Sequence, residues 1–147
     1  MTQNEIKALK LFDENYNCSQ AVFVTIGSEL GISEKDAIAI AAGFGAGMCF
    51  QGNTCGAVTG SYMALGVLSS KKFTKTEDIK EYTYQLIGEF NKNFIDKHRT
   101  TVCNDLLGVD MSTEKGVEKA KETGLFTSKC PEYVKTAVQL IDKINKK

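Results

Sequence analysis

Five cysteines, Cys18, Cys49, Cys55, Cys103 and Cys130, are the residues of this chain with the clearest capacity for chemistry. In a reducing compartment, such cysteines bind metals, take part in redox reactions or are simply buried. None belongs to a Cys-x-x-Cys pair, which argues against thioredoxin-like chemistry and the usual zinc ribbons. The intervals between them are long, so any joint site must be assembled by the fold.

The composition predicts a single domain over residues 1–147, since the chain has one proline and no linker-like segment. Its 18 basic and 18 acidic residues give no electrostatic reason to expect a nucleic-acid partner. The N-terminal segment is polar and lacks the apolar core of a signal peptide, so we expect a cytoplasmic location. The two apolar stretches, 37–50 and 55–68, are shorter than the roughly 20 residues of a membrane-spanning helix.

Signals for helices are dense and signals for strands almost absent, so the sequence predicts an all-α fold of six or seven helices. Capping patterns open three of them: Thr2 with Glu5, Ser33 with Asp36, and Thr74 with Glu77. Glycine-rich sequence from 43 to 47 predicts a loop before a central helix that itself contains glycines. The predicted helices cover approximately 2–15, 18–30, 37–42, 55–69, 74–97, 112–122 and 130 onward, with a short turn at 103–107.

On this prediction Cys18, Cys55, Cys103 and Cys130 each lie at or next to the start of a helix. The first turn of a helix has unpaired N–H groups and a partial positive charge. A thiolate there gains hydrogen bonds and a lowered pKa, and the thiolate is both the nucleophile and the metal ligand. The positions of these four cysteines therefore favour a reactive or metal-binding site.

Gly56 and Gly60 lie four residues apart and share one face of the central helix. Glycine inside a helix costs about 1 kcal/mol relative to alanine, so the presence of two glycines on this face needs an explanation. It would let another helix, or an inorganic group, approach the backbone closely. Because Cys55 is adjacent, we favour a cofactor-binding role for both glycines, with tight helix packing as the alternative.

Other motifs carry little chemistry. The segment Gly43-Phe-Gly45-Ala-Gly47-Met48 lacks the third glycine and the preceding strand of a dinucleotide-binding fingerprint. His98 at the end of the longest predicted helix is explained by the favourable position of a cation there. No catalytic acid, base or nucleophile–base pair stands out, so the sequence leaves open whether the protein is an enzyme.

Three motifs and an ordered set of cysteines resemble the C-GCAxxG-C-C family of redox-active proteins. They are Asn17-Cys18-Ser-Gln-Ala-Val, Cys55-Gly-Ala-Val-Thr-Gly60 and Cys103-Asn-Asp-Leu-Leu-Gly108, followed by Cys130-Pro131. The resemblance extends from about Tyr16 to Val134. A similar domain in split-Soret cytochromes is associated with an iron–sulfur cluster. The resemblance thus implies that Cys18, Cys55, Cys103 and Cys130 are the functional set and that they ligate such a cluster.

The chain departs from the family pattern at two places. Thr54, rather than glycine, precedes Cys55, and Cys49 is a fifth thiol close to the expected site. No Cys-x-x-Cys-His sequence is present, so the haem function of the cytochromes does not carry over.

Three functions therefore compete. The first is a [2Fe–2S] or [4Fe–4S] protein for electron transfer or redox sensing, working with an unidentified redox partner protein. The second is thiol–disulfide exchange by Cys55 with another cysteine. The third is a structural zinc site, or a helical binding module whose cysteines are merely buried. A homodimer is compatible with each.

Overall fold

The computed structural model describes residues 1–146, and within them the helix is the predominant secondary structure. The prediction of an all-α fold is confirmed. The predicted number of helices is too low, because residues 1–146 contain ten helical segments, of which α4 and α9 have only four residues. Such short turns carry no periodic apolar pattern from which to predict them. The segments are α1 (Gln3–Asp13), α2 (Cys18–Glu29), α3 (Glu34–Ala41), α4 (Gly45–Met48), α5 (Gly56–Lys72), α6 (Thr76–His98), α7 (Cys103–Leu107), α8 (Glu114–Glu122), α9 (Leu125–Ser128) and α10 (Cys130–Asn145).

Side-chain caps fix where several of these helices begin. At α1, Thr2 accepts from the amide of Glu5 at 3.1 Å, and the Glu5 carboxylate accepts from the Thr2 amide at 2.7 Å, as the sequence predicts. Ser33 likewise caps α3 by accepting from the amide of Asp36. The predicted box at Thr74 is wrong: α6 begins at Thr76 after Lys75, which makes no side-chain cap.

The core is built around α2, whose residues from Ala21 to Gly27 are all buried. Helices α1, α3, α5 and α10 pack around it, with α5 making the most extensive contact. The buried Thr25 hydroxyl donates to the Ala21 carbonyl at 2.8 Å, so this polar group is satisfied within the helix. Helix α6 adds the buried rings of Phe90 and Phe94, which stack with centroids 5.8 Å apart.

None of the helices within residues 1–146 combines the length and the apolar character needed to cross a bilayer. The apolar stretches 37–50 and 55–68 are instead divided between α3, α4 and α5. An isolated antiparallel bridge between Thr54 and Val102 joins the chain segments that lead into α5 and α7. This bridge holds the starts of those two helices side by side.

Candidate cysteine site

The starts of four helices bring together four cysteines that are far apart in the sequence. Cys18, Cys103 and Cys130 are the first residues of α2, α7 and α10, and Cys55 is the residue immediately before α5. All four line one cavity of about 660 Å³. Cys49 is exposed and is not part of the lining. The structure therefore groups the four cysteines that the sequence singles out and sets the fifth apart from the cavity lining.

Cys18 and Cys55 are hydrogen-bonding partners with opposite pKa shifts. Hydrogen bonding from Cys55 lowers the pKa of Cys18 to about 7, helped by the backbone amides of Ala46 and Ser19 and opposed by burial. The pKa of Cys55 is raised well above its usual range, first by this hydrogen bond and then by burial. Around neutral pH Cys18 therefore exchanges between thiol and thiolate, and its thiolate accepts a hydrogen bond from the protonated Cys55.

Cys103 and Cys130 are held in the neutral form. Burial, and secondarily the charge of Cys18, raises the pKa of each to about 12. The pKa of Tyr133 is also raised, mainly by burial and then by Cys130, and its hydroxyl donates to the Leu106 carbonyl at 3.0 Å. Helix-start placement alone does not lower a thiol pKa here, because burial dominates at both cysteines.

A left-handed turn covers one side of the site. From Ala46 to Phe50 five consecutive residues have φ between 55° and 71°, and only Gly47 among them is glycine. Left-handed helical geometry costs an L-residue roughly 1–2 kcal/mol, so the four non-glycine residues carry about 4–8 kcal/mol of strain. Such strain persists where surrounding contacts impose it, and it concentrates at functional sites. The sequence predicts a loop here from its glycines but not its handedness.

Contacts from both neighbouring helix starts impose this turn. The Asn53 amide donates to the Gly47 carbonyl at 2.9 Å, and the Cys103 amide donates to the Asn53 carbonyl at 2.6 Å. An added Cβ at Gly47 would lie 2.6 Å from the Asn53 nitrogen and 2.8 Å from the Cys103 Cβ. Only glycine fits position 47, and the turn is thereby locked against the start of α7.

Gly56 and Gly60 face α2. A Cβ at Gly56 would collide with the Cys18 sulfur, and one at Gly60 would lie 2.7 Å from the Ser19 carbonyl oxygen. Gly56 also lines the cavity, whereas Gly60 is not among the lining residues. The structure thus gives both glycines a role in close helix approach. The predicted cofactor-binding role stays a prediction.

His98 lies outside the cavity lining and is fixed by packing. Its Nε2 is 2.9 Å from the Thr136 hydroxyl, and its ring centroid is 4.9 Å from those of Phe94 and Tyr133. Burial lowers its pKa, so the neutral imidazole is favoured. Packing between aromatic rings, rather than a charge at the helix end, accounts for this histidine.

Sequence reasoning missed the part of the cavity wall that carries no sulfur. Two charged residues, Asp13 and Lys121, contribute to it, together with several apolar and aromatic side chains. None of these residues belongs to a motif or a distinctive spacing, so no sequence signal distinguishes it. The apolar and aromatic lining residues other than the cysteines include Leu9, Phe12, Tyr16, Phe50, Leu106, Leu107, Phe126 and Tyr133.

The four cysteines can be compared with the ligand sets that known metal sites use. Among residues 1–146, no group of three or more His, Cys, Asp or Glu side chains is arranged to hold one metal ion. The ligands of a cluster need not converge on one ion, because iron and sulfide atoms lie between them. Four thiols around one cavity are the ligand type and number that [2Fe–2S] and [4Fe–4S] clusters use.

Comparison with known sequences agrees with this architecture. The profile of a family described as "Putative redox-active protein (C_GCAxxG_C_C)" matches residues 16–144. The chain belongs to this family. Its four motif cysteines are the four that line the cavity. The chain is also 26% identical over 142 residues to an uncharacterised protein of Archaeoglobus fulgidus, covering 91% of this chain and 87% of that protein. No solved structure matches the chain.

Proposed function

We propose that this C_GCAxxG_C_C protein holds an iron–sulfur cluster on Cys18, Cys55, Cys103 and Cys130 and serves in electron transfer or redox sensing. One observation carries the proposal: four cysteines from four separate helix starts line the same cavity, while Cys49 is absent from its lining. If the cysteines were buried for unrelated reasons, we would not expect the cavity to be lined by the four motif cysteines and to omit Cys49.

The surroundings of these cysteines suit thiolate ligands. The amides of Ala46 and Ser19 hydrogen bond to Cys18 and favour its charged form. Leu106 and Leu107, both buried, contribute an apolar wall beside Cys103. When bound, such a cluster would supply one-electron oxidation and reduction, for which no acid or base is required.

Loading of a cluster would have to displace protons from these thiols. Because Cys103 and Cys130 have pKa values of about 12 and that of Cys55 is also raised, three of the four ligands are protonated at neutral pH. Metal ligands bind as thiolates, so binding is linked to proton release. We therefore expect cluster loading to strengthen steeply with rising pH.

The decisive experiment is anaerobic purification followed by assay of iron and acid-labile sulfide, with absorption spectra before and after dithionite. The proposal expects brown protein, iron matched by sulfide, and bleaching on reduction. Cys55→Ser should lose most of the iron, whereas Cys49→Ser should keep it. Unchanged iron in Cys55→Ser, or wild-type protein that stays metal-free after attempted reconstitution, would contradict the proposal. One zinc per chain without colour would favour a structural site.

A second candidate, thiol–disulfide exchange, is favoured by the hydrogen bond between Cys18 and Cys55. Here Cys18, with its pKa near 7, is the attacking thiolate, and Cys55 is the protonated partner. Cys18 attacks a partner disulfide and releases one partner sulfur as a thiolate. Deprotonated Cys55 then attacks the Cys18 sulfur of the mixed disulfide and expels the second partner sulfur as a thiolate. A Cys18–Cys55 disulfide forms and the partner gains two electrons, with one proton from Cys55 and a second from solvent.

Oxidised glutathione distinguishes the two candidates in metal-free protein. Exchange chemistry predicts a Cys18–Cys55 disulfide detectable by mass spectrometry, and its formation should not require Cys103 or Cys130. A cluster function requires all four cysteines. Failure of the disulfide to form in wild-type protein would exclude the second candidate.

A further inference from the structure

The cavity extends beyond the elements that carry the cysteines. Helices α1, α8 and α9 contain no cysteine, yet each contributes residues to its lining. At about 660 Å³ the cavity falls within the range of about 300–1,000 Å³ that small-molecule sites occupy. A cluster held by four cysteines would lie against the walls that provide them, which leaves the other walls for a different occupant.

These other walls are rich in aromatic rings. Phe12, Tyr16 and Phe126 line the cavity from α1, the α1–α2 connection and α9, and Phe50 adds a ring from the left-handed turn. Phe12 and Phe126 are half-buried, so part of each side chain remains accessible. Aromatic rings favour offset or edge-to-face contact with other rings, beyond the effect of area alone. The lining therefore favours a flat aromatic molecule over a saturated one of equal size.

The charged side chains on the lining indicate which charge and which polar group a ligand should have. Lys121 and Asp13 contribute opposite charges, which balance each other across the lining. Within the part of the chain that the structure describes, the Lys121 amine has no ion-pair partner. A negatively charged ligand would be repelled by Asp13, whereas a neutral oxygen acceptor could receive a hydrogen bond from Lys121 without that repulsion.

We propose that this cavity binds a planar, uncharged aromatic molecule with an oxygen acceptor, such as an aromatic ketone, beside the four cysteines. The ligand contacts the rings of Phe12 and Phe126 and directs its oxygen to Lys121. This site goes beyond the proposed function, which concerns only the four cysteines. It gives those cysteines a small-molecule neighbour in addition to any protein partner.

Acetophenone and cyclohexyl methyl ketone form a matched pair of probes, since they share the acceptor and differ in the ring. Ligand-observed NMR titration of anaerobically purified protein should show acetophenone binding about 2- to 10-fold more tightly than the saturated ketone. Equal affinities, or no saturable binding of acetophenone up to its solubility limit, would overturn the proposal. Iron is measured on the same samples, so that failure of ketone binding can be distinguished from absence of a cluster.

Substitutions of lining residues test whether acetophenone binds in this cavity. Phe126→Leu keeps apolar volume but removes the ring, and it should weaken acetophenone binding about 2- to 10-fold with little effect on the saturated ketone. Phe73→Leu is the matched control, because Phe73 is half-exposed beside Tyr82 and does not line the cavity. Lys121→Met should weaken acetophenone binding but leave ethylbenzene binding unchanged. Equal effects of Phe126→Leu and Phe73→Leu would place the ligand elsewhere and refute the site.

Discussion

Replacement of Gly60 by alanine tests the close approach of α5 to α2 directly. The added Cβ would lie 2.7 Å from the Ser19 carbonyl oxygen and 3.2 Å from the Ser19 Cα. Carbon atoms in favourable contact are about 3.5–4.0 Å apart. Both obstructing atoms belong to the backbone, so no change of side-chain rotamer can relieve the contact. The two helices must move apart where they make their most extensive contact.

Gly66 is the matched control because it lies in the same helix and a Cβ there would meet no atom within 4 Å. Alanine is favoured over glycine in a helix by about 1 kcal/mol, and this gain applies at both positions. Overpacking applies only at Gly60 and typically costs about 1–3 kcal/mol. The difference in unfolding free energy between Gly66→Ala and Gly60→Ala should therefore be about 1–3 kcal/mol.

The assay is urea unfolding of metal-free protein under reducing conditions, followed by circular dichroism at 222 nm. Gly66→Ala should be more stable than wild type and Gly60→Ala less stable, with similar m-values for all three proteins. If Gly60→Ala proved as stable as Gly66→Ala, the close contact of α5 with the Ser19 backbone would be refuted.

Three further predictions concern the thiols. The rate of Cys18 alkylation should follow a pKa of about 7, and Cys55→Ala should shift this titration to higher pH; an unchanged titration would contradict the assigned hydrogen bond. Cys49→Ser should retain the wild-type iron-to-protein ratio, and loss of iron would place Cys49 among the ligands. Above pH 9 metal-free protein should lose stability as pH rises towards 12, because Cys103 and Cys130 ionise near pH 12 when folded but near 9 when unfolded. Unfolding curves at several pH values should show a shallower loss in the double Cys→Ser variant, and parallel losses would argue against these shifts.

The sequence predicts those features of the site that depend on local chemistry. Capping residues locate the starts of α1 and α3, and the short helical turn at Cys103 is present as predicted. Because four cysteines coincide with helix starts, a common site follows once those starts meet. The sequence does not predict the start of α6 at Thr76. The Thr74–Glu77 pattern fits a capping box, and no local feature distinguishes a helix that starts after Thr74 from one that starts after Lys75.

Other features depend on tertiary contacts and leave no local signal. The pKa of Cys103 is set mainly by burial, which opposes the helix-start effect that the sequence suggests. Phe12 and Phe126 line the same cavity although their helices are far apart in the sequence, so only the tertiary structure shows that they share a site. Ala46 and Met48 in left-handed geometry go against residue preference, and contacts with Asn53 and Cys103 override it.

The left-handed turn also inverts the stereochemical preference of the chain over a short stretch. The φ of 55° and ψ of 42° at Ala46 are the mirror image of right-handed α geometry, so a D-amino acid adopts them without strain. D-alanine in place of Ala46, introduced by chemical ligation, should therefore relieve about 1–2 kcal/mol of strain. The same exchange at Ala64, within right-handed α5, should destabilise the protein. Beside the cysteines, unlike in the helices that surround them, the backbone favours residues of the opposite chirality.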